Sequence, residues 1–270
     1  SDAMGMKDTG WIMLFSKNNQ DVYDNTIIGT MIAENSNVLL PIAICQDGFI
    51  TSHSIENIEI LEDDEVTKLV GKYNNNVNLL DKENPVTVGP LDLPTHLFEH
   101  KRLQVEALAN AKKVFKEISE KYEKISGRKI NMIDTYMVED ADTVIIAIGS
   151  TAETIEEVVD RRRKNGEKVG VIAIRMFRPF PSEEIISALK NAKNIAVMDK
   201  VMDYSLNGGP LYKEIISAIY DMKEKYKNII VSNYIYGIGG RDIGVDDIEG
   251  IFDDILDDSN NEKIRYVGLK

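Results

Sequence analysis

The chain has 270 residues, 43% hydrophobic and 29% charged, the balance of a folded globular protein rather than a disordered one. A formal net charge of −13 argues against nucleic acid or an anionic membrane surface as a partner, and no apolar run approaches the roughly 18–20 residues that span a bilayer. One cysteine, Cys45, excludes an internal disulfide and leaves no ligand set for a structural zinc or iron–sulfur site, so no metal site is expected. With no charged-then-apolar leader to read, these features fit a reducing cytoplasm.

The opening reads as one β-α-β unit. Trp11 to Phe15 is a short apolar run, and Asn18-Asn19 offers helix N-caps. Val22, Thr26, Ile27, Met31 and Ile32 recur at helical spacing, and Val38 to Cys45 follows as a buried strand. A parallel sheet must be covered on both faces, and two strands cannot make one. Residues 1–59 therefore read as the remnant of a larger α/β domain whose earlier strands are absent. Residues 60–134 read as a linker. Asn74-Asn75-Asn76, Pro85, Pro90 and Pro94 mark turns, and a long helix follows, with a stripe from Leu103 through Val114, Phe115 and Ile118 to Ile125. Ser126-Gly127 ends that helix.

From residue 135 to 260 strands and helices alternate with short connections, the pattern of a doubly wound parallel sheet. Strands are expected near 143–148, 169–176, 194–198 and 229–236, with helices beginning at Ser150 and Ser182 and others over 209–226 and 245–257. Ser150 with Glu153 three residues on predicts a capping box. The acidic residues along the last helix, through Asp258, predict a solvated face.

Three motifs invite a chemical reading. Gly149-Ser150-Thr151 has the look of a phosphate-binding turn but lacks a P-loop's glycine spacing and lysine, so a plain strand-to-helix turn is favoured. Gly237-Ile238-Gly239-Gly240-Arg241-Asp242 fails the dinucleotide fingerprint at its sixth position. Arg178, ending a strand before Pro179, stands where it can meet a carboxylate or phosphate in the crevice, or simply make a structural ion pair; both readings stay open. Near the N-terminus, Lys7, Thr9 and the backbone around Gly10 can contact a polar ligand, although a lone lysine is ordinarily solvated.

Ser1-Asp2-Ala3-Met4 followed by Asp8-Thr9-Gly10-Trp11 resembles the middle of the alpha subunit of pyruvate (2-oxoacid):ferredoxin oxidoreductases. The likeness continues in family order through Asp47-Gly48-Phe49, Thr51-Ser52-His53, Asn84 to Gly89 and Glu139-Asp140-Ala141. It extends to Phe177-Arg178-Pro179-Phe180-Pro181, Gly208-Gly209-Pro210 and Gly237 to Asp242, nearly the whole chain. The resemblance implies a transketolase C-terminal-like domain over 135–260, preceded by part of a pyrimidine-type thiamine diphosphate-binding domain over 1–59.

It also implies oxidative decarboxylation of a 2-oxoacid, most commonly pyruvate, to acetyl-CoA. Coenzyme A would be a substrate, and electrons would pass to ferredoxin. Thiamine diphosphate and its magnesium would be shared with a beta subunit. Iron–sulfur clusters would reside on partner subunits, with gamma and delta types completing the assembly and ferredoxin docking on subunits other than this acidic one. Where the family usually has an arginine that binds the substrate carboxylate, the matching position is Lys7, which keeps the charge but not the bidentate fork. Lys7 and Thr9 are the implied substrate contacts, and Asp47, His53, Arg178 and Arg241 the implied interface or crevice residues. No catalytic residue is expected in this chain, because the family's activating glutamate precedes anything present, and the isolated chain is expected to be inactive. A transketolase-like module serving only in assembly or partner binding is the alternative.

Overall fold

The computed structural model describes residues 2–74, 77–89, 91–220, 229–257 and 262–270. Ser1, the turn marks at Asn75, Asn76 and Pro90, residues 221–226 of the expected helix and Asp258 lie outside the described residues.

The N-terminal part contains α1 (Asp2–Gly5), β1 (Ile12–Phe15), α2 (Asn19–Ala33), β2 (Ile42–Cys45), α3 (Ile50–His53), α4 (Asp63–Val70) and α5 (Leu97–Ser126). The rest runs β3 (Ile133–Tyr136), β4 (Thr143–Ala147), α6 (Thr151–Lys164), β5 (Val169–Ile174), β6 (Met176–Arg178), α7 (Ser182–Ala188), β7 (Asn194–Asp199), α8 (Pro210–Tyr220), β8 (Ile230–Ile235), α9 (Val245–Ile255) and β9 (Ile264–Tyr266).

The larger sheet has six strands in the order β3-β5-β4-β7-β8-β9, parallel throughout except for β3, which pairs antiparallel with β5. Along β4 the side chains alternate: Val144 and Ile146 join the core with Ile185 of α7 and Leu211 and Ile215 of α8, while Ile145 and Ala147 pack with α6 and α9. Helices thus cover both faces, as a doubly wound sheet requires. This α/β architecture is the expected fold class.

The smaller sheet departs from the two-strand reading. It has three strands, β2-β1-β6, and the third is supplied by residues 176–178, antiparallel to β1. The segment expected as one strand over 169–176 instead serves two sheets, and the break falls at Arg175. Its guanidinium, fully buried, donates to Asp21 at 3.0 Å, Asn25 at 3.0 Å, Asp134 at 2.7 Å and the Asn131 carbonyl at 3.1 Å. Burial alone would lower its pKa, but Asp134 and Asp21 outweigh that and raise it.

Local chemistry explains most element ends. Asn18 caps α2 by accepting from the Asp21 N–H at 2.9 Å. Gly127, left-handed at φ 71°, ends α5. Only the second half of the predicted α5 stripe is buried, from Ala111 through Phe115 and Ile118 to Tyr122, against α2 and the smaller sheet; Leu103 is 60% exposed. The strand expected from Val38 begins only at Ile42, because Leu39 takes a positive φ and Pro41 cannot donate to a ladder. Within the segment read as irregular, α4 is a helix whose Val66, Leu69 and Val70 rest on the same core. No helix among the described residues is long and apolar enough to cross a membrane.

Candidate functional site

In the parallel run of the larger sheet the chain moves from β4 outward to β5, then returns to β7 on β4's other side. The carboxyl ends of β4 and β7 therefore flank the topological switch point, where open α/β sheets form their ligand crevice. A cavity of about 560 Å³ lies there. One wall comes from Ile148, Gly149, Asp199, Lys200 and Tyr236, at the carboxyl ends of the larger sheet; Phe15, Cys45 and Asp47, at the carboxyl ends of β1 and β2, face them, and residues 2–4 of α1 border the opening. Both sheets thus present their strand ends to one space.

Asp47 is the bridge across it. Its Oδ2 accepts from the Ser150 amide at 2.6 Å and from Ser150 Oγ at 2.5 Å, and its Oδ1 lies 3.8 Å from Lys200 Nζ. The carboxylate occupies the N-terminus of α6, where backbone donors and the helix dipole favour an anion. Gly149 makes room for it: φ is +77°, and a Cβ there would stand 2.6 Å from Asp47 Oδ2. The expected Ser150–Glu153 capping box is therefore corrected. Ser150's hydroxyl is committed to Asp47, and Glu153's carboxylate accepts from Asn18 Nδ2 at 2.6 Å. The anion at the Gly149-Ser150-Thr151 turn is the protein's own.

Asp199 is buried at the end of β7. Its carboxylate caps α8, accepting from the Leu211 amide at 2.9 Å and the Tyr212 amide at 3.1 Å, and it accepts from Asn233 Nδ2 at 2.9 Å. Burial nevertheless outweighs these bonds and pushes its pKa up to about 6. A Cβ on Gly209 would come 2.2 Å from the Asp199 carboxyl carbon, so the backbone passes directly over the acid. Cys45's thiol is pushed up to about 11 by burial and stays protonated at neutral pH. The remaining wall is Gly237 to Gly240, with positive φ at residues 237, 239 and 240.

The residues singled out in the sequence fall in four places. Asp47 is in the cavity. Lys7 sits just past α1: its ammonium pairs with Asp8 at 2.5 Å, and its carbonyl accepts from Arg178 Nε at 2.9 Å. Arg178 also meets Glu214 at 2.6 Å and lies 3.7 Å from Asp8, so its guanidinium is engaged in ion pairs within the chain. Thr9, exposed, turns its hydroxyl back to the Met6 carbonyl at 2.6 Å. His53 stays outside the cavity, its ring stacked on Phe49 at 4.9 Å, and exposed Arg241 donates to the Gly268 carbonyl. The structure brings Lys7 and Arg178 together but leaves His53 apart.

Asp199 and Lys200 carry no local signature in the sequence, since each is a lone carboxylate or a lone ammonium at a strand end. Gly208-Gly209-Pro210, which closes over Asp199, was the available signal. Among the described residues no three His, Cys, Asp or Glu side chains stand together to hold a metal ion, and Lys200 is the one cationic side chain on the cavity wall. Those residues do not by themselves fit a metal-bound diphosphate.

Two family matches cover most of the chain in sequence order: "Pyruvate flavodoxin/ferredoxin oxidoreductase, thiamine diP-bdg" over residues 1–120, and "Pyruvate:ferredoxin oxidoreductase core domain II" over residues 141–248. Pyruvate synthase subunit PorA of Thermotoga maritima is 43% identical over 271 residues, covering 100% of this chain and 68% of that protein. Ketoisovalerate oxidoreductase subunit VorA of Pyrococcus horikoshii is 35% identical over 256 residues, covering 94% of this chain and 64% of that protein. The same fold occurs in the solved 2-oxoglutarate:ferredoxin oxidoreductase from Magnetococcus marinus, with 2-oxoglutarate, coenzyme A and succinyl-CoA bound. That likeness has a TM-score of 0.53 and 15% identity, over 91% of this chain and 42% of that one.

Proposed function

The chain belongs to the pyruvate (2-oxoacid):ferredoxin oxidoreductase family, and from that premise we propose that it acts as the alpha-type subunit of an enzyme that oxidatively decarboxylates pyruvate to acetyl-CoA. The supporting observation is the 43% identity to a pyruvate synthase subunit across the whole chain. On this reading residues 1–59 are the end of a thiamine diphosphate-binding domain, 60–134 a linker, and 135–260 a transketolase C-terminal-like domain. The cavity between the two sheets is one wall of the thiamine diphosphate and magnesium site, and a beta-type subunit supplies the other. Coenzyme A is the acyl acceptor.

Iron–sulfur clusters reside on the partner subunits, of beta, gamma and delta type, which pass electrons to ferredoxin. The net charge of −13 disfavours docking of an acidic ferredoxin on this chain. The single cysteine is consistent with the cytoplasm. Lys7 and Thr9 serve as substrate contacts, while Asp47, His53, Arg178 and Arg241 stand at the crevice or at interfaces. The ketoisovalerate relative makes branched 2-oxoacids the main competitors for the substrate.

The test is anaerobic reconstitution with the partner subunits and a 2-oxoacid panel, reading coenzyme A-dependent acceptor reduction. Pyruvate-dependent reduction by the complex, and none by the 270-residue chain alone, is expected. Turnover by the isolated chain, or an assembled complex inert toward every 2-oxoacid, would refute the proposal.

A further inference from the structure

Among the described residues the larger sheet ends on β3, which pairs with β5 alone. In an antiparallel pair every second residue turns its N–H and C=O away from the partner strand, so β3 offers open hydrogen-bonding groups on its outer side. Beside this edge a groove of about 700 Å³ runs between α5 and α7, floored by Phe115, Met132 and Ile133. Among the described residues, two buried polar atoms in its lining have no partner, Ser119 Oγ and Glu184 Oε2. Ser119 is 7% exposed, so water does not readily serve its hydroxyl.

Glu184 is the more telling of the two. Burial would raise its pKa, but the Lys116 ammonium at 2.8 Å, helped by the residue's own backbone amide and by Lys112, outweighs that and holds the carboxyl below its ordinary range. The carboxylate is thus charged, with one oxygen paired and the other shut away from water without a donor. Leaving such an atom unmet costs more than leaving a neutral one unmet. Around the groove carboxylates outnumber ammonium groups five to three.

We propose that this groove receives an extended segment of a partner subunit, which adds a strand to β3 and sets a lysine or arginine against Glu184. Open strand edges recruit such segments through main-chain bonds, while neighbouring pockets choose the side chains. A small molecule would leave the strand edge unpaired. A second copy of this chain, at −13, would bring like charge to an acidic groove. The inference rests on the reading of this chain as one subunit of an assembly.

Hydrogen–deuterium exchange at residues 133–136 tests it, comparing the free chain with the reconstituted complex. Size-exclusion chromatography and acceptor reduction are recorded on the same sample. At least tenfold slower exchange in the complex is expected, and Glu184→Gln should cut that protection at least threefold. A Ser119→Ala variant with unchanged circular dichroism should weaken it less, since only a neutral bond is lost. A complex that forms while residues 133–136 exchange as in the free chain overturns the proposal, as does equal protection in a concentrated sample of this chain alone. A complex that forms and protects this edge but turns over no 2-oxoacid counts against the enzymatic reading and leaves the groove assignment standing.

Discussion

At the scale of single residues, Asp199 carries an unusual pH signature. Its carboxyl sits at about 6 in the folded chain against an ordinary value near 4, so the fold holds the proton more tightly than the unfolded chain does. Its contribution to stability is complete below about pH 4 and fades as pH rises through about 6, opposite in sign to a paired carboxylate such as Glu184. Two units correspond to at most about 3 kcal/mol. In urea denaturation at pH 4.5 and 7, the advantage of wild type over Asp199→Asn should shrink toward the higher pH; an unchanged difference would mean that Asp199 titrates normally. Lys7 makes a different prediction. In the free chain its ammonium rests on Asp8, a partner 74% exposed, and under the proposed role a substrate carboxylate would take that partner's place. Losing a charged partner costs about 2–5 kcal/mol, and about 1.4 kcal/mol is tenfold. In the assembled enzyme Lys7→Ala should therefore raise the KM for the 2-oxoacid or lower turnover at least tenfold, whereas Lys7→Arg keeps substantial activity. Wild-type kinetics for Lys7→Ala would reduce it to a surface residue.

At the scale of elements, the start of α6 couples two distant positions. Gly149→Ala forces a methyl against the Asp47 carboxylate at a positive φ, and should cost about 1–3 kcal/mol. Asp47→Ala removes the charge at the helix N-terminus, worth about 0.3–2 kcal/mol. Combined, the two should cost less than their sum, because the clash disappears with the carboxylate; a thermal-denaturation double-mutant cycle with strict additivity would contradict the contact. These contacts also mark where sequence reading stops. The strands of the larger sheet were legible because buried apolar runs between turns are a local signal, and Thr143–Ala147, Val169–Ile174, Asn194–Asp199 and Ile230–Ile235 lie within a few residues of expectation. Ser150 and Glu153 carried the right spacing for a capping box, yet Asp47 and Asn18, more than a hundred residues away, claimed both side chains. Helix α4 was hidden by acidic residues in a proline- and asparagine-rich stretch, although Val66, Leu69 and Val70 keep helical spacing. Of the cavity, the resemblance named Asp47; Asp199 and Lys200 become visible only when strand ends are placed side by side.

At the scale of the molecule, Arg175 pins the two sheets together, drawing Asp21 and Asn25 from α2 and Asp134 from β3 onto one buried cation. Arg175→Met strands those carboxylates and should cost about 3–5 kcal/mol. Wild type should unfold in one transition followed by Trp11 fluorescence or by circular dichroism, whereas in Arg175→Met the Trp11 signal, which reports on the smaller sheet, should move to lower denaturant; coincident curves would show that the sheets are joined by other means. The antiparallel pairing of β1 with β6 has a further consequence, one of timing. Met13 finds its neighbour Arg178 165 residues later in the chain. At about 5–20 residues per second of synthesis, β1 waits on the ribosome for about 10–30 s before the strand that completes its sheet exists. During that interval the Ile12–Phe15 strand lacks the neighbour that closes its sheet, so its free edge stays open to mispairing until residues 176–178 have been made.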